Sequence, residues 1–300
     1  MCLNFLLLEK FIMTKCIVLR GLSWIWKSTR AEEQICKFPE MTVVNRDTLR
    51  LQNPWVKERD IKQLQYDALK AIFKAWQDCI LDNTHCLPWS LESAIAMCKS
   101  IWFETEVKDF MTWQPIKRHE EASARNFNRP TRVPQCVIDK MFLANYKISD
   151  VHFRREMYIF DLDWTLANLE HRLHYVKWEW KKDWKNFYAE VLNDSVIENV
   201  ARIWHSLSSP TICKVILSGR SNQCAFETEE WLSKNWFKYD FILMRDSWDK
   251  RDDTDVKRDM YNMCLKWNKI LWVFDDRARI IDMRQEEGVF TFDVSQGKVF

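Results

Sequence analysis

Two aspartates separated by a single residue, Asp161 and Asp163, follow an apolar run at residues 157–160. Such a run predicts a buried strand, so both carboxylates would lie where a strand ends. There the first carboxylate can act as a nucleophile and the second can donate a proton to a leaving group. A turn or a calcium-type loop explains an isolated Asp-x-Asp sequence about as well, so the interpretation depends on the rest of the chain.

A second candidate site lies at residues 21–29, directly after an apolar run at residues 16–20. The segment matches the Walker A pattern at its first glycine and at Lys27 and Ser28, but Trp26 occupies the second glycine position. In this pattern backbone N–H groups surround phosphates, the lysine contacts them and the hydroxyl group binds magnesium. We expect an indole there to obstruct a nucleotide. An isolated match is accidental more often than not, with the lysine then a solvated residue of a first helical turn.

Further polar residues follow in the same half. Asp47 and Arg50 come after a short apolar run, Asp82 comes after another, and Arg125 and Arg129 are four residues apart. Arginines four apart on a helix share a face, which suits a polyphosphate clamp. Individually, the first two residues would be an ordinary pair at a helix start and the two arginines a solvated basic face.

In this order, the four motifs resemble the kinase half of the bacteriophage polynucleotide kinase-phosphatase family. The resemblance implies that Asp47 takes the proton from a 5′-hydroxyl group, that Arg50 holds a neighbouring phosphate and that Asp82 contacts the substrate. It also implies an ATP site, formed by Gly21, Lys27, Ser28, Thr29, Arg125 and Arg129.

The second half resembles the phosphatase half of that family, a haloacid-dehalogenase-type domain. The resemblance implies that Asp161 attacks phosphorus to form an aspartyl-phosphate, that Asp163 is the acid and base, and that Lys257 neutralises the phosphate. The implied substrate contacts are Thr165, Ser218, Gly219 and Arg220. The implied magnesium ligands are Asp161, Asp163, Asp275 and Asp276.

Glycine is depleted and tryptophan is abundant throughout the chain. There are 4 glycines and 17 tryptophans, whereas average usage predicts roughly 20 glycines. Trp24 and Trp26 stand at glycine positions of the first pattern, and Trp164 stands where the phosphatase family usually has glycine. Trp178 and Trp248 are further candidates for turn positions. Because no catalytic atom is lost at position 164, we expect phosphatase chemistry to survive better than kinase chemistry.

Short apolar runs alternate with helical patterns along the whole chain. The predicted strands lie at residues 16–20, 42–44, 79–81, 101–103, 157–160, 214–217, 241–243 and 271–274. This alternation predicts an α/β protein with parallel sheets covered by helices. We therefore expect two tandem domains, a P-loop kinase-like sheet at residues 13–150 and a haloacid-dehalogenase-like Rossmannoid domain at residues 151–300, after an extension at residues 1–12.

Composition restricts the alternatives only weakly. The net charge is +2, from 45 basic and 43 acidic residues. This near balance predicts neither a nucleic-acid partner nor a membrane partner. Ten cysteines without zinc-type spacing indicate reduced thiols in a cytoplasm, that of the host if the gene is phage-encoded. The sequence contains no run of eighteen apolar residues, so we expect no membrane-spanning helix.

Three functions remain open at this point. The first is an end-healing enzyme that phosphorylates 5′-hydroxyl groups with ATP and removes 3′-phosphates, both with Mg²⁺. The second is a phosphatase with an inert kinase half, and the third is an inactive relative. Under the first two the partners are DNA or RNA ends, and the family resemblance suggests a homo-oligomer.

Overall fold

The computed structural model describes residues 13–22, 27–85, 88–110, 115–129, 132–145, 156–177, 182–207, 209, 211–265 and 268–295. Its packing divides the chain into two units, the first ending at Arg125 and the second beginning at Asn126. The predicted extension, Trp24, Trp26 and Trp178 lie outside the described residues. So does the predicted boundary between residues 150 and 151, which stays a prediction, although the packing divides the chain earlier.

The first unit is built on a sheet of four parallel strands in the order β2-β3-β1-β4. In chain order its elements are β1 (Lys15–Arg20), α1 (Lys27–Lys37), β2 (Thr42–Val44), α2 (Arg46–Gln52), α3 (Glu58–Lys74), β3 (Cys79–Asp82), α4 (Pro88–Ser100), β4 (Glu104–Asp109) and α5 (Pro115–Phe127). Cys16 and Val18 pack into one apolar cluster, and Ile17 and Leu19 pack into another. Because successive side chains point to opposite faces, β1 is buried on both.

The strand predicted at residues 101–103 is wrong. Helix α4 runs to Ser100, the following residues form its C-terminal turn, and β4 begins at Glu104. The β4 strand lies at an edge of the sheet and is only partly buried, so its sequence lacks the apolar run that marks β1.

The second unit contains a sheet of five parallel strands in the order β11-β10-β5-β8-β9, and a short antiparallel pair of β6 and β7. In chain order its elements are α6 (Gln135–Asn145), β5 (Glu156–Phe160), β6 (Ala167–Asn168), α7 (Trp184–Ala189), β7 (Ser195–Val196), α8 (Glu198–Ser206), β8 (Ile212–Ser221), α9 (Ala225–Lys234), β9 (Phe241–Arg245), α10 (Asp253–Leu265), β10 (Lys269–Asp275), α11 (Ala278–Glu286) and β11 (Thr291–Asp293). The prediction of two tandem α/β domains is confirmed.

Helix α6 belongs to the second unit, although the sequence places it in the first domain. Its Asp139 is fully buried and accepts a hydrogen bond from the Ile242 backbone N–H of β9 at 2.7 Å. Phe142 stacks on Phe241 with ring centroids 5.7 Å apart. Among the described helices, none is long and apolar enough to cross a membrane.

Candidate active site

The site lies where the order of the second sheet reverses. Strand β5 is central, with β8 on one side and β10 on the other, and these strands are parallel. Their carboxyl ends therefore meet at one edge, the usual ligand position in open α/β sheets. Asp161 follows β5, Ser218 lies in β8, and Asp275 ends β10.

Lys257 of α10 joins two of the predicted carboxylates. Its Nζ atom lies 3.0 Å from Oδ1 of Asp161 and 2.9 Å from Oδ2 of Asp275, and its side chain is 1% exposed. Burial disfavours the charged ammonium group, but the two carboxylates outweigh burial and raise the pKa of Lys257. The lysine is therefore held charged at the sheet edge.

Three carboxylates cluster beside the single ammonium group of Lys257, so negative charge exceeds positive charge in this cluster. Oxygen atoms of Asp161, Asp275 and Asp276 lie within 4.8 Å of one another. Burial raises the pKa of Asp161, repulsion from the other two carboxylates adds to this, and Lys257 partly offsets it. Burial and repulsion from Asp275 raise the pKa of Asp276 to about 6.

The same cluster fits a divalent cation. Both side-chain oxygens of Asp276 are buried and accept no hydrogen bond from the described residues. Carboxylate oxygens are the ligands that Mg²⁺ prefers, and a cation would balance the excess charge. Asp161, Asp275 and Asp276 are thus the residues that could hold a metal ion.

Asp163 is held by arginines. Arg220 donates to Oδ1 of Asp163 through Nε at 2.9 Å and through Nη2, and Arg172 Nη2 lies 3.8 Å from the same oxygen. Burial alone would raise the pKa of Asp163, but the charge and hydrogen bonds of Arg220 lower it, with help from Arg172. All contacts found for this carboxylate among the described residues are to Oδ1.

Arg220, a predicted substrate residue, is bound by several buried groups of the protein itself. It is 3% exposed, and besides Asp163 it contacts Asp194 Oδ2 at 2.9 Å and Thr228 Oγ1 at 3.2 Å. Asp194 in turn binds Arg172 through both oxygens, at 2.6 and 2.7 Å. The arginine thus positions Asp163 within a buried network of alternating charges.

Gly219 lies against a second group of charges. An added Cβ atom there would be 2.0 Å from Oδ1 of Asp253. Arg245 Nη2 holds that oxygen at 2.8 Å, and Arg277 Nη1 holds Oδ2 at 2.7 Å. Position 219 therefore needs glycine because a fixed carboxylate occupies the space of a side chain.

A cavity of about 490 Å³ opens onto these groups, lined by Asp161, Asp163, Trp164 and Lys257 among others. Thr165 is fully buried, and its Oγ1 atom has no hydrogen-bond partner among the described residues. Ser218 is also fully buried, and its Oγ atom accepts a hydrogen bond from the Arg220 backbone at 3.2 Å.

In the first unit, the ends of β1 and β3 bring together part of the predicted ATP site. The Gly21 backbone N–H donates to Thr84 O at 2.9 Å, and Ser28 Oγ donates to Asp82 Oδ2 at 2.8 Å. Lys27 is 5% exposed, and its Nζ donates to Leu22 O at 2.5 Å. Thr29 lies in the first turn of α1.

The predicted base pairs with its arginine. Arg50 Nη1 donates to Asp47 Oδ1, and both side chains are partly or largely exposed. Arg50 also donates to Glu58 Oε2 through Nε at 2.8 Å. The two residues are adjacent, but among the described residues neither side chain has a hydrogen bond or ion pair with a residue of the predicted ATP site.

The expectation that Arg125 and Arg129 share a helical face is wrong. Helix α5 ends at Phe127, so Arg129 lies beyond it. The side chain of Asn126 exchanges hydrogen bonds with the Val133 backbone at 2.7 and 2.9 Å. Arg129 also precedes a proline, a position at which helical backbone is disfavoured.

The residues that hold the candidate catalytic side chains were not predicted from the sequence. Arg172, Asp194 and Asp253 lie far apart in the chain and match no predicted pattern by spacing. Their burial as charged residues, between 0% and 7% exposed, becomes visible only after folding.

Residues 155–299 match the family model described as the phosphatase domain of the polynucleotide kinase PNKP. This range contains the second sheet and its candidate residues. Over 94% of its length the chain is similar to a protein in the solved Pnkp1/Rnl/Hen1 RNA repair complex, of which the match covers 96%. The identity is 23% and the TM-score is 0.39. It is also similar to a haloacid dehalogenase-like hydrolase from Streptococcus pneumoniae, with 14% identity, coverage of 47% and 84%, and a TM-score of 0.35. Structural similarities at this level assign no activity.

Proposed function

We propose that the second unit removes phosphate from 3′-phosphorylated DNA or RNA ends through an aspartyl-phosphate intermediate. The observation that carries this proposal is the cluster of Asp161, Asp275 and Asp276, in which Lys257 binds the first two carboxylates. Asp163 is held nearby by Arg220. The family model matched by residues 155–299 supports a nucleic-acid substrate.

In the first step, a carboxylate oxygen of Asp161 attacks phosphorus and the bond from phosphorus to the 3′-oxygen breaks. Asp163 gives a proton to the departing 3′-oxygen. Its arginine contacts lower its pKa, so this role requires the negative charge of the bound phosphate to favour the protonated carboxyl group. Because Arg220 and Arg172 contact Oδ1 of Asp163, Oδ2 is the oxygen left to carry that proton. Lys257 offsets the negative charge on the transferring phosphoryl group.

In the second step, Asp163 accepts a proton from a water molecule as the water oxygen attacks the phosphorus of the intermediate. The bond between phosphorus and Asp161 breaks, which restores the carboxylate and releases inorganic phosphate. A Mg²⁺ ion held by Asp161, Asp275 and Asp276 would neutralise negative charge on the phosphoryl oxygens.

The test is phosphate release from a 3′-phosphorylated oligonucleotide in the presence of Mg²⁺. We expect Asp161→Asn to lower the rate by at least about 10⁴-fold, since it removes the nucleophile. The matched control is Asp282→Asn, an exposed position on α11, which should leave the rate unchanged. Chelation with EDTA should stop release, and Mg²⁺ should restore it. Equal rates in the wild type and Asp161→Asn would contradict the proposal.

For the first unit we propose transfer of the ATP γ-phosphate to a 5′-hydroxyl end. The contact between Ser28 and Asp82 beside the buried Lys27 favours it, because these groups meet at the carboxyl edge of the sheet. The test is 5′-labelling of an oligonucleotide from ATP, with Lys27→Ala as the inactive reference. Labelling equal to that reference would leave the phosphatase as the sole activity, and the absence of both activities would indicate an inactive relative.

We also propose that the protein acts in the cytoplasm of a host cell. The family resemblance is the basis for proposing a bacteriophage origin and a homo-oligomeric assembly. The eight cysteines among the described residues are free thiols, which supports a reducing compartment.

A further inference from the structure

The backbone places tryptophan where side chains are least tolerated. Among the described residues, five that are not glycine have a positive φ, and four of them are tryptophan: Trp76 at 55°, Trp102 at 77°, Trp164 at 62° and Trp236 at 59°. Tryptophan accounts for 17 of 300 residues. Left-handed backbone favours glycine, then asparagine and aspartate, and a bulky residue there is an outlier. The enrichment therefore runs opposite to the steric preference.

Trp76 ends helix α3 in a Schellman motif. Its N–H donates to Phe73 O at 3.0 Å, and the N–H of Gln77 donates to Ile72 O at 3.2 Å. In this motif the residue after the C-cap is left-handed and is usually glycine.

Two more helices end in the same way. The N–H groups of Trp102 and Phe103 complete the motif at the end of α4, with lengths of 3.0 and 3.1 Å. Trp236 and Phe237 complete it at the end of α9, with lengths of 3.2 and 2.9 Å.

Helix α11 shows the residue that this motif ordinarily uses. Gly288 has a φ of 75°. Its N–H donates to Gln285 O at 2.9 Å, and the N–H of Val289 donates to Arg284 O at 3.0 Å. Four helices thus share one hydrogen-bond pattern, with glycine at the left-handed position in one and tryptophan in three.

Burial separates these tryptophans from others in the chain. Trp76, Trp102 and Trp236 are 70%, 79% and 75% exposed, whereas Trp204 and Trp231 are each 1% exposed. The Trp231 indole N–H donates to a backbone carbonyl at 2.7 Å, and Trp204 packs edge-on against an aromatic ring. The indole rings of Trp204 and Trp231 therefore make contacts inside the protein, whereas the rings of Trp76, Trp102 and Trp236 lie mostly in water.

The fourth left-handed tryptophan lies in the candidate active site. The Trp164 N–H donates to Ala167 O at 2.7 Å, which closes a tight turn directly after Asp163. Its side chain lines the cavity that opens onto Asp161. An indole in this turn narrows the space in front of the proposed nucleophile.

We propose that the natural polypeptide carries glycine at positions 76, 102, 164 and 236, because its organism decodes as glycine a codon that other codes read as tryptophan. UGA is such a codon, since different genetic codes assign it to stop, tryptophan or glycine. Trp204 and Trp231 then come from the ordinary tryptophan codon. The depletion to 4 glycines beside 17 tryptophans follows directly.

The first test compares the gene with the protein from its native source. We expect UGA at codons 76, 102, 164 and 236 and UGG at codons 204 and 231. Peptide masses should show glycine at the first four positions and tryptophan at the last two. The peptide spanning residues 21–29 should likewise carry glycine at positions 24 and 26. UGG at all six codons, or tryptophan masses at the four positions, would overturn the proposal.

The second test measures backbone strain independently of the gene. Starting from the chain with tryptophan, Trp76→Gly, Trp102→Gly and Trp236→Gly should each lower the unfolding equilibrium constant roughly 5- to 30-fold. The matched alanine variants keep a Cβ atom, so they should lower the unfolding equilibrium constant much less. Trp204→Gly should raise the constant instead, because it removes a buried ring. Equal effects of glycine and alanine at the exposed positions would show that no strain is relieved and would count against the proposal.

The third test rests on the proposed phosphatase function. Trp164→Gly should increase phosphate release from the 3′-phosphorylated oligonucleotide more than Trp164→Ala does. No release from any of these variants, together with glycine masses in the native peptides, would reject the proposed function and keep the assignment of glycine. Release that is unaffected by Trp164→Gly, together with tryptophan masses, would reject the assignment and keep the function.

Discussion

Arg220 connects two buried carboxylates, so its removal should be costly. It donates to Asp163 and contacts Asp194, and its side chain is fully buried. In Arg220→Met, Asp163 keeps only the more distant Arg172, and the free energy of unfolding should fall by about 3–5 kcal/mol. Urea denaturation would measure this.

The control for that variant is Arg279→Met. Arg279 is largely exposed and pairs with Asp252 at 3.0 Å. Surface ion pairs contribute about 0–1 kcal/mol, so this variant should unfold close to the wild type. Similar losses in both variants would contradict the role assigned to the buried network.

Gly219 should not tolerate even one methyl group. In Gly219→Ala the new Cβ atom would meet Asp253, which Arg245 and Arg277 hold in place. Overpacking of this kind costs about 1–3 kcal/mol. Thermal or urea unfolding would show the loss, and in an Asp253→Ala background the same substitution should cost less. An unchanged cost in that background would show that the carboxylate is not the obstacle.

Glu229 of α9 is a partly buried acid at the contact with α6, and we expect it to make this contact sensitive to pH. It accepts a hydrogen bond from the Gln135 backbone at 2.5 Å. Burial raises its pKa to about 7 from 4.5, against the opposing effects of that bond and of Arg132, and Asp139 adds repulsion. Because the folded-state pKa is the higher one, the folded protein binds more protons than the unfolded chain between these values.

The free energy of unfolding should therefore fall as pH rises from about 4.5 to 7, by at most about 3 kcal/mol from this group. Glu229→Gln keeps the acceptor oxygen and removes the titration. Urea denaturation at pH 5 and pH 8 should show a smaller pH difference in the variant than in the wild type. The same difference in both proteins would contradict the prediction.

Buried central strands could be predicted from the sequence, whereas the edge strand could not. The predicted strands at residues 16–20, 79–81 and 157–160 lie within β1, β3 and β5, because buried parallel strands are continuous apolar runs. The edge strand β4 has no such run. The segment predicted as this strand, residues 101–103, is instead the C-terminal turn of α4. Glycine usually marks such a turn, and Trp102 stands in its place, so the sequence did not indicate a helix end.

At the scale of the whole molecule, the position of α6 predicts where the chain can be divided. A protein of residues 126–300 keeps the buried bond from Asp139 to Ile242 and the stacking of Phe142 on Phe241. One of residues 151–300 loses both and exposes to water the side of the edge strand β9 that α6 covers, including the buried ring of Phe241. We expect the shorter protein to unfold at lower urea concentration. Equal stability would support the boundary predicted from the sequence.

The two α/β units and the order of the chemical groups could be predicted from the sequence alone, because apolar runs and short motifs are local properties. The sequence placed Asp161, Lys257, Asp275 and Asp276 in one site through motif resemblance, and the fold brings them together. The contact between Arg220 and Asp163 could not be predicted in this way, because folding brings together two segments that are distant in the chain. The left-handed backbone at four tryptophans was likewise decided by the fold, because helix ends and a tight turn fix φ regardless of the residue that occupies them.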